Sequence, residues 1–118
     1  MSPVFTQYVI INRQIKESFP LGAVITQAVH SAVNVLYRYR DRNEVQEYMA
    51  QEPGHQHTVV LEASSSEELF KIKSKLHGLD VESVVFVEQP ENFATALATL
   101  PVLKERTKPV LKRYRLCQ

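Results

Sequence analysis

The sequence predicts an α/β fold in which helices cover a mostly parallel sheet, all within one domain spanning residues 1–118. Three observations predict it. Short runs rich in β-branched and apolar residues recur at 7–11, 57–61 and 81–88. Segments with helical spacing separate them, and one opens on an S-x-x-E signature, Ser65-Ser66-Glu67-Glu68. At 118 residues the chain is long enough for one core and too short for two.

Taken in order, Gln7-Tyr8-Val9-Ile10-Ile11 reads as a strand buried on both faces. A polar loop follows and ends in Phe19-Pro20-Leu21-Gly22. From Ala23 to Tyr39 the period changes: Ile25, Ala28, Ala32, Leu36 and Tyr39 fall at steps of three and four, the apolar stripe of a helix. Gln27, His30 and Asn34 then share the opposite, polar side. A short helix at 43–51 leads to the turn at Pro53-Gly54, and a second strand starts at His57. The S-x-x-E signature starts a helix with its stripe at Leu69, Ile72 and Leu76 and its stop at Gly78. Residues 81–88 form a third strand and 95–100 a fourth, closed by Pro101. The basic tail holds a last helix, expected to begin near Pro109, because proline suits a first turn and damages an interior.

Composition narrows the function classes. Three glycines, six prolines and the absence of low-complexity tracts exclude collagen-like and disordered chains. Cys117 is the single cysteine, so an internal disulfide is excluded. No apolar run approaches the roughly 20 residues of a membrane span, and the N-terminus lacks a secretory signal pattern. A soluble, cytoplasmic domain is therefore expected, without a membrane partner. The net charge of +1 hides an asymmetry: Lys104, Arg106, Lys108, Lys112, Arg113 and Arg115 face only Glu105, a local balance of +5 that leaves −4 elsewhere. Arg38, Arg40 and Arg42 form a second basic group around Asp41. Such residues complement helix dipoles at C-terminal ends, or they form a rim for nucleic-acid phosphates, and charge alone leaves both readings open.

Among the candidate chemical groups, Glu88 ends an apolar strand, the position where α/β sheets place ligand sites. The polar loop Gln89-Pro90-Glu91-Asn92 follows at once. Gly22 precedes the long helix, whose free first-turn N–H groups suit an anion. His30 offers acid–base chemistry near neutral pH, Gln27 an amide, and Thr95 a hydroxyl. Each is equally at home as an ordinary surface or strand residue. His55 and His57 lack partners at zinc-like spacing, so no metal site is expected, and phosphate-loop, dinucleotide and nucleophile-elbow motifs are absent. Cys117, in a basic terminus expected to fray, has no fixed base to activate it.

The ordered segments resemble one family. Gly22-Ala-Val-Ile-Thr-Gln27-Ala-Val-His30-Ser-Ala32 resembles the G-K-x-x-x-Q-x-x-H-A segment of the archaeal and eukaryotic type II peptidyl-tRNA hydrolases. Gln14-Ile15-Lys16 stands at that family's D-L motif, Glu88-Gln-Pro-Glu-Asn92 at D-A-G-R-T, and Thr95-Ala-Leu-Ala-Thr-Leu-Pro101 at T-V-L-A-I-G-P. Lys112-Arg-Tyr-Arg-Leu116 is similar to the closing basic helix. The E-Q-P-E-N stretch is closest to the divergent branch called peptidyl-tRNA hydrolase domain-containing proteins.

The resemblance implies an α-β-α sandwich around a four-stranded mixed sheet, often a homodimer. It also implies hydrolysis of the ester joining a peptide to the 3′ ribose of tRNA, without metal or cofactor. Carried over residue by residue, Glu88 would activate water, Thr95 and Asn92 would orient it, and Gln27 and His30 would hold the ribose or ester. Gly22 amides with Lys112, Arg113 and Arg115 would meet phosphates. The family's lysine is Ala23 here, its aspartate is Glu88, and its first threonine is Asn92; Lys16, just upstream, is the cation nearest in sequence to replace the lysine. A non-catalytic tRNA or RNA binder, or a protein-interaction module, is the alternative use of the same scaffold.

Overall fold

A computed structural model describes residues 4–90 and 92–118; Glu91 of the polar loop lies outside the described residues. Strand β1 (Phe5–Asn12) pairs in parallel with β2 (His57–Ala63) and antiparallel with β4 (Phe93–Thr99), which in turn pairs antiparallel with β3 (Ser83–Glu88). The order is β2-β1-β4-β3, with a two-residue β5 (Val102–Leu103) on the first residues of β1. Three of the four main strands run the same way, as expected of an α/β fold, although the insertion of β4 leaves only β1–β2 as a parallel pair. One consequence governs the site: the C-terminal ends of β1, β2 and β3, at Asn12, Ala63 and Glu88, share one edge of the sheet. Strand β5 is too short to show a period and was not expected.

Helix α1 (Ile15–Ser18) occupies the predicted polar loop, followed by α2 (Leu21–Arg38) and α3 (Asn43–Ala50). Helix α4 (Ser66–His77) and α5 (Lys104–Leu111) complete the chain. Helix α2 packs on one face, against β4, β1 and β3; α4 packs on the other, against β3, β4 and α5. The predicted α4 stripe of Leu69, Ile72 and Leu76 is fully buried and meets a core that includes Ile10 and Leu97. Each such aliphatic side chain contributes about 1.5–3 kcal/mol. Ser65 caps α4 by accepting from the Glu68 N–H at 3.2 Å. Only half of the capping box forms, because the Glu68 carboxylate turns instead to Arg113 and Tyr114.

Two expectations are corrected. Helix α5 starts at Lys104, not near Pro109, which sits inside it. Pairing of Val102 and Leu103 with β1 fixes where the helix must begin, and that outweighs the one backbone bond Pro109 cannot donate. Helix α2 is rotated by roughly a quarter turn from the predicted stripe. Its buried residues are Val24, Gln27, Ser31 and Val35, while Ile25 is 54% exposed and Ala28, Ala32, Leu36 and Tyr39 are only partly covered. Two polar side chains thus face the sheet, and Leu21, Ile25, Val29 and Val33 lie open beside an apolar groove of about 790 Å³.

The basic tail is not frayed. It runs along the free edge of β2, with the Glu62 N–H donating to the Arg115 carbonyl at 3.0 Å and the Cys117 N–H to Val60 at 2.9 Å. Covering an edge strand in this way removes a row of unpaired backbone groups. Cys117 is half-buried, and burial pushes its thiol above the ordinary value, which lowers its nucleophilic fraction. Glu62 pins the tail: its carboxylate accepts from Lys16 Nζ at 2.6 Å, Arg115 Nε at 2.7 Å and the Gln118 N–H at 3.3 Å. Burial pushes this carboxyl upward, but the hydrogen bonds from Lys16, Arg115 and Gln118 outweigh it and hold the pKa at about 2.

A folded-state value below the unfolded one means the stabilisation is complete above pH 4.5 and is lost as pH falls towards about 2. The shift corresponds to about 3 kcal/mol. Thermal melts of Glu62→Gln should therefore lie well below wild type at pH 7 and converge on it near pH 2. A constant gap across that window would refute the role of Glu62.

Candidate active site

The site grows from an irregularity in β4. Phe86 of β3 pairs with Ala96, but the next residue, Val87, pairs with Ala94, so Thr95 is an extra residue in the ladder. Such a bulge re-aims a side chain, and here it turns Thr95 towards α2. The carbonyl of Ala94 is taken up on the other face by Asn12 Nδ2 at 3.0 Å and Ser66 Oγ at 3.3 Å. The bulge is thus held from behind by the ends of β1 and α4.

Thr95 is fully buried and donates its hydroxyl to Gln27 Oε1 at 2.7 Å. Gln27, 3% exposed, donates Nε2 to Glu88 Oε2 at 2.6 Å. The direction of this chain follows from the chemistry: a carboxylate only accepts, so the amide must offer its nitrogen to Glu88 and its oxygen to Thr95. Glu88 stands half-exposed at the sheet edge, and its Oε1 accepts from the Gln89 backbone N–H at 3.3 Å. Both of these donors are neutral. A buried relay therefore fixes one oxygen of an accessible carboxylate, while the other carries, among the described residues, one long hydrogen bond.

The remaining candidates fall into three places. His30, one turn along α2 from Gln27, is exposed and stacks on Phe86 with centroids 5.7 Å apart and planes 6° apart. Asn92 is exposed in the left-handed region at φ 57° and accepts from Gln89 Nε2 at 3.4 Å across the turn. Gly22 lies in the first turn of α2, where an added Cβ would meet nothing within 4 Å, so packing does not demand glycine there.

Lys16, Arg113 and Arg115 gather at the β2 end of the edge, around Glu62 and Glu68. Two intervening strands put that end about 14 Å from Glu88. Lys16, the cation nearest in sequence to replace the family's lysine, is thus engaged by Glu62 at that end. Lys112 lies on the opposite face of the sheet, beside Tyr8, Leu61 and Leu116. Sequence reasoning did not single out Phe86, the platform under His30; an aromatic two residues before Glu88 on an alternating strand was the available signal. Among the described residues, no three His, Cys, Asp or Glu side chains are grouped to hold a metal ion.

The known proteins similar to this chain point to one family. The family model described as peptidyl-tRNA hydrolase PTH2 matches residues 5–117. A human protein, named peptidyl-tRNA hydrolase PTRHD1 with the activity marked as provisional, is 34% identical over 116 residues, covering 96% of this chain and 82% of its own length. Its mouse counterpart, of the same name, is 33% identical over the same shares.

The relay predicts a stability signature. Thr95→Val keeps the shape but strands the buried Gln27 oxygen, and should cost about 1–3 kcal/mol in urea unfolding, with Thr95→Ser recovering most of it. Equal stability of Thr95→Val and wild type would show that the hydrogen bond carries no weight.

Proposed function

The chain belongs to the peptidyl-tRNA hydrolase PTH2 family, and on that premise we propose that it cleaves the ester between a peptide, or an N-blocked amino acid, and the 3′ ribose of tRNA. The observation that carries this reading is the Thr95–Gln27–Glu88 relay, which presents one fixed carboxylate at an open sheet edge. Glu88 Oε1 would take a proton from water as the water oxygen attacks the ester carbonyl. Collapse of the tetrahedral intermediate breaks the bond to the ribose oxygen, which takes up a proton, leaving a free carboxylate and a free 3′ hydroxyl.

Within this scheme Gln27 and Thr95 are positioning residues, because their polar atoms are spent inside the protein. Asn92, beside Glu88 across the turn, would orient the water or the ester. His30 would face the ribose, and the open first turn of α2 at Gly22 would admit a phosphate. Arg113 and Arg115 are paired with carboxylates at the far end of the edge, so the reading gives them no contact with the terminal nucleotide. Ala23 supplies no cation for the oxyanion, so its stabilisation falls to neutral donors, each worth less than a charged one. A tRNA substrate fits a cytoplasmic setting.

A homodimer would use the open stripe of α2. Leu21, Ile25, Val29 and Val33 form a ridge at four-residue spacing, beside a groove floored by Ala28 and Ala32. A ridge and groove on one surface can interdigitate with their own copy about a two-fold axis. Val29→Asp with Val33→Asp should convert a sedimenting dimer to monomer; a monomeric wild type at micromolar concentration would remove the proposal.

The activity is tested by single-turnover release of the blocked amino acid from N-acetyl-aminoacyl-tRNA. Wild type should release it, Glu88→Gln should be slower by at least about 100-fold, and Thr95→Val should lose part of the rate. Release that is unchanged in Glu88→Gln sinks the base role. No release by wild type, with tRNA still bound in a salt-sensitive way, would establish a binder that keeps the fold without the chemistry.

A further inference from the structure

A second cleft adjoins the candidate site on the β3 side of α2. It has a volume of about 560 Å³ and is lined chiefly by Phe86, His30, Asn34, Tyr37, Arg38 and Arg40. None of these carries negative charge, which distinguishes the cleft from the tail, where every arginine at the sheet edge faces a glutamate. Phe86 lies two residues before Glu88 on the edge strand, on the same face and about 7 Å away. His30 is stacked on its ring. Further along α2, Tyr37 is 62% exposed, with the Arg40 guanidinium 4.4 Å from its ring centre. Arg40 also donates to the Tyr37 carbonyl at 2.8 Å, which holds the pair in place at the end of the helix.

We propose that this cleft binds the unpaired nucleotides that precede the 3′ end of an RNA. Their bases would stack on Phe86, His30 and Tyr37, and their phosphates would lie on Arg38 and Arg40. Aromatic faces alternating with cations, here arginines that form no ion pair among the described residues, are what sequence-tolerant single-strand binding requires, because every base has a π-face and every linkage a charge. From Gln27 to Arg38 is about 16 Å along the helix, room for several nucleotides. The assignment rests on the peptidyl-tRNA reading for its polarity, with the terminal ribose at Glu88 and the strand running down the β3 edge.

Fluorescence anisotropy with a labelled RNA hexanucleotide, and with a blunt duplex of the same length, tests it. The single strand should bind more tightly. The Arg38→Gln/Arg40→Gln double variant should bind about tenfold more weakly and lower the salt slope by about 1.4, for two phosphate contacts. Phe86→Leu should weaken binding by about tenfold while keeping the slope, because it removes stacking and not charge. In multiple-turnover release of the blocked amino acid the arginine variant should raise KM and leave kcat near wild type. Equal binding of duplex and single strand, or unaltered affinity in both variants, overturns the proposal. So does unaltered KM in a variant that still releases amino acid, and that result leaves the hydrolase reading standing. Tight single-strand binding that depends on Arg38, Arg40 and Phe86, in a protein that releases nothing, supports the cleft and overturns the hydrolase reading instead.

Discussion

Thr95 reaches α2 only because β4 holds one residue more than its partner, and the candidate site depends on that offset. In a regular ladder its hydroxyl would point at the α4 face, and the buried amide oxygen of Gln27 would have no donor. An unsatisfied buried amide costs about 1–3 kcal/mol, a large share of the stability of a domain this size. The bulge and the inward-facing glutamine therefore require one another. Asn12 and Ser66, which hold the Ala94 carbonyl, belong to the same constraint although neither faces the site.

A second polar network sits at the other end of the same sheet edge. Glu62 draws Lys16, Arg115 and the Gln118 N–H to itself and so fastens the tail to β2. Its role is architectural, because its cations are used up in closing the fold. Glu88, by contrast, meets only neutral donors among the described residues and stands half-exposed to solvent. One edge thus carries two glutamates in opposite environments, one ringed by cations and one accessible beside neutral donors.

Helix α2 divides the surface into two chemically different flanks. On its β2 side the open residues are aliphatic, and on its β3 side aromatic and basic residues join Asn34 and Val33. Seating Gln27 against the sheet turns the helix so that both flanks stay uncovered. The apolar groove and the basic cleft thus lie on opposite flanks of the helix and meet at Val33, which lines both.

Strand and helix order, the α4 core stripe and its serine cap were legible in the sequence, because periodicity and capping are local properties. The family motif also pointed to Gln27, His30, Glu88, Asn92 and Thr95. The roles of those residues were not legible. Hydrophobicity favoured the side of α2 carrying Ile25, Ala28 and Ala32 as its buried face, whereas the protein buries Gln27 and Ser31; bonds across the fold to Thr95 and Glu88 offset the cost for Gln27, and a bond to the Ala28 carbonyl one turn back offsets it for Ser31. Lys16 stood close to the missing lysine in sequence, yet a glutamate 46 residues away claims it. The sequence by itself determined the order of the longer elements, while the four-residue α1 and two-residue β5 were too short to leave a period. Only the tertiary structure decided which polar groups would meet, because a buried donor and its acceptor here lie 61 and 68 residues apart and leave no periodic trace.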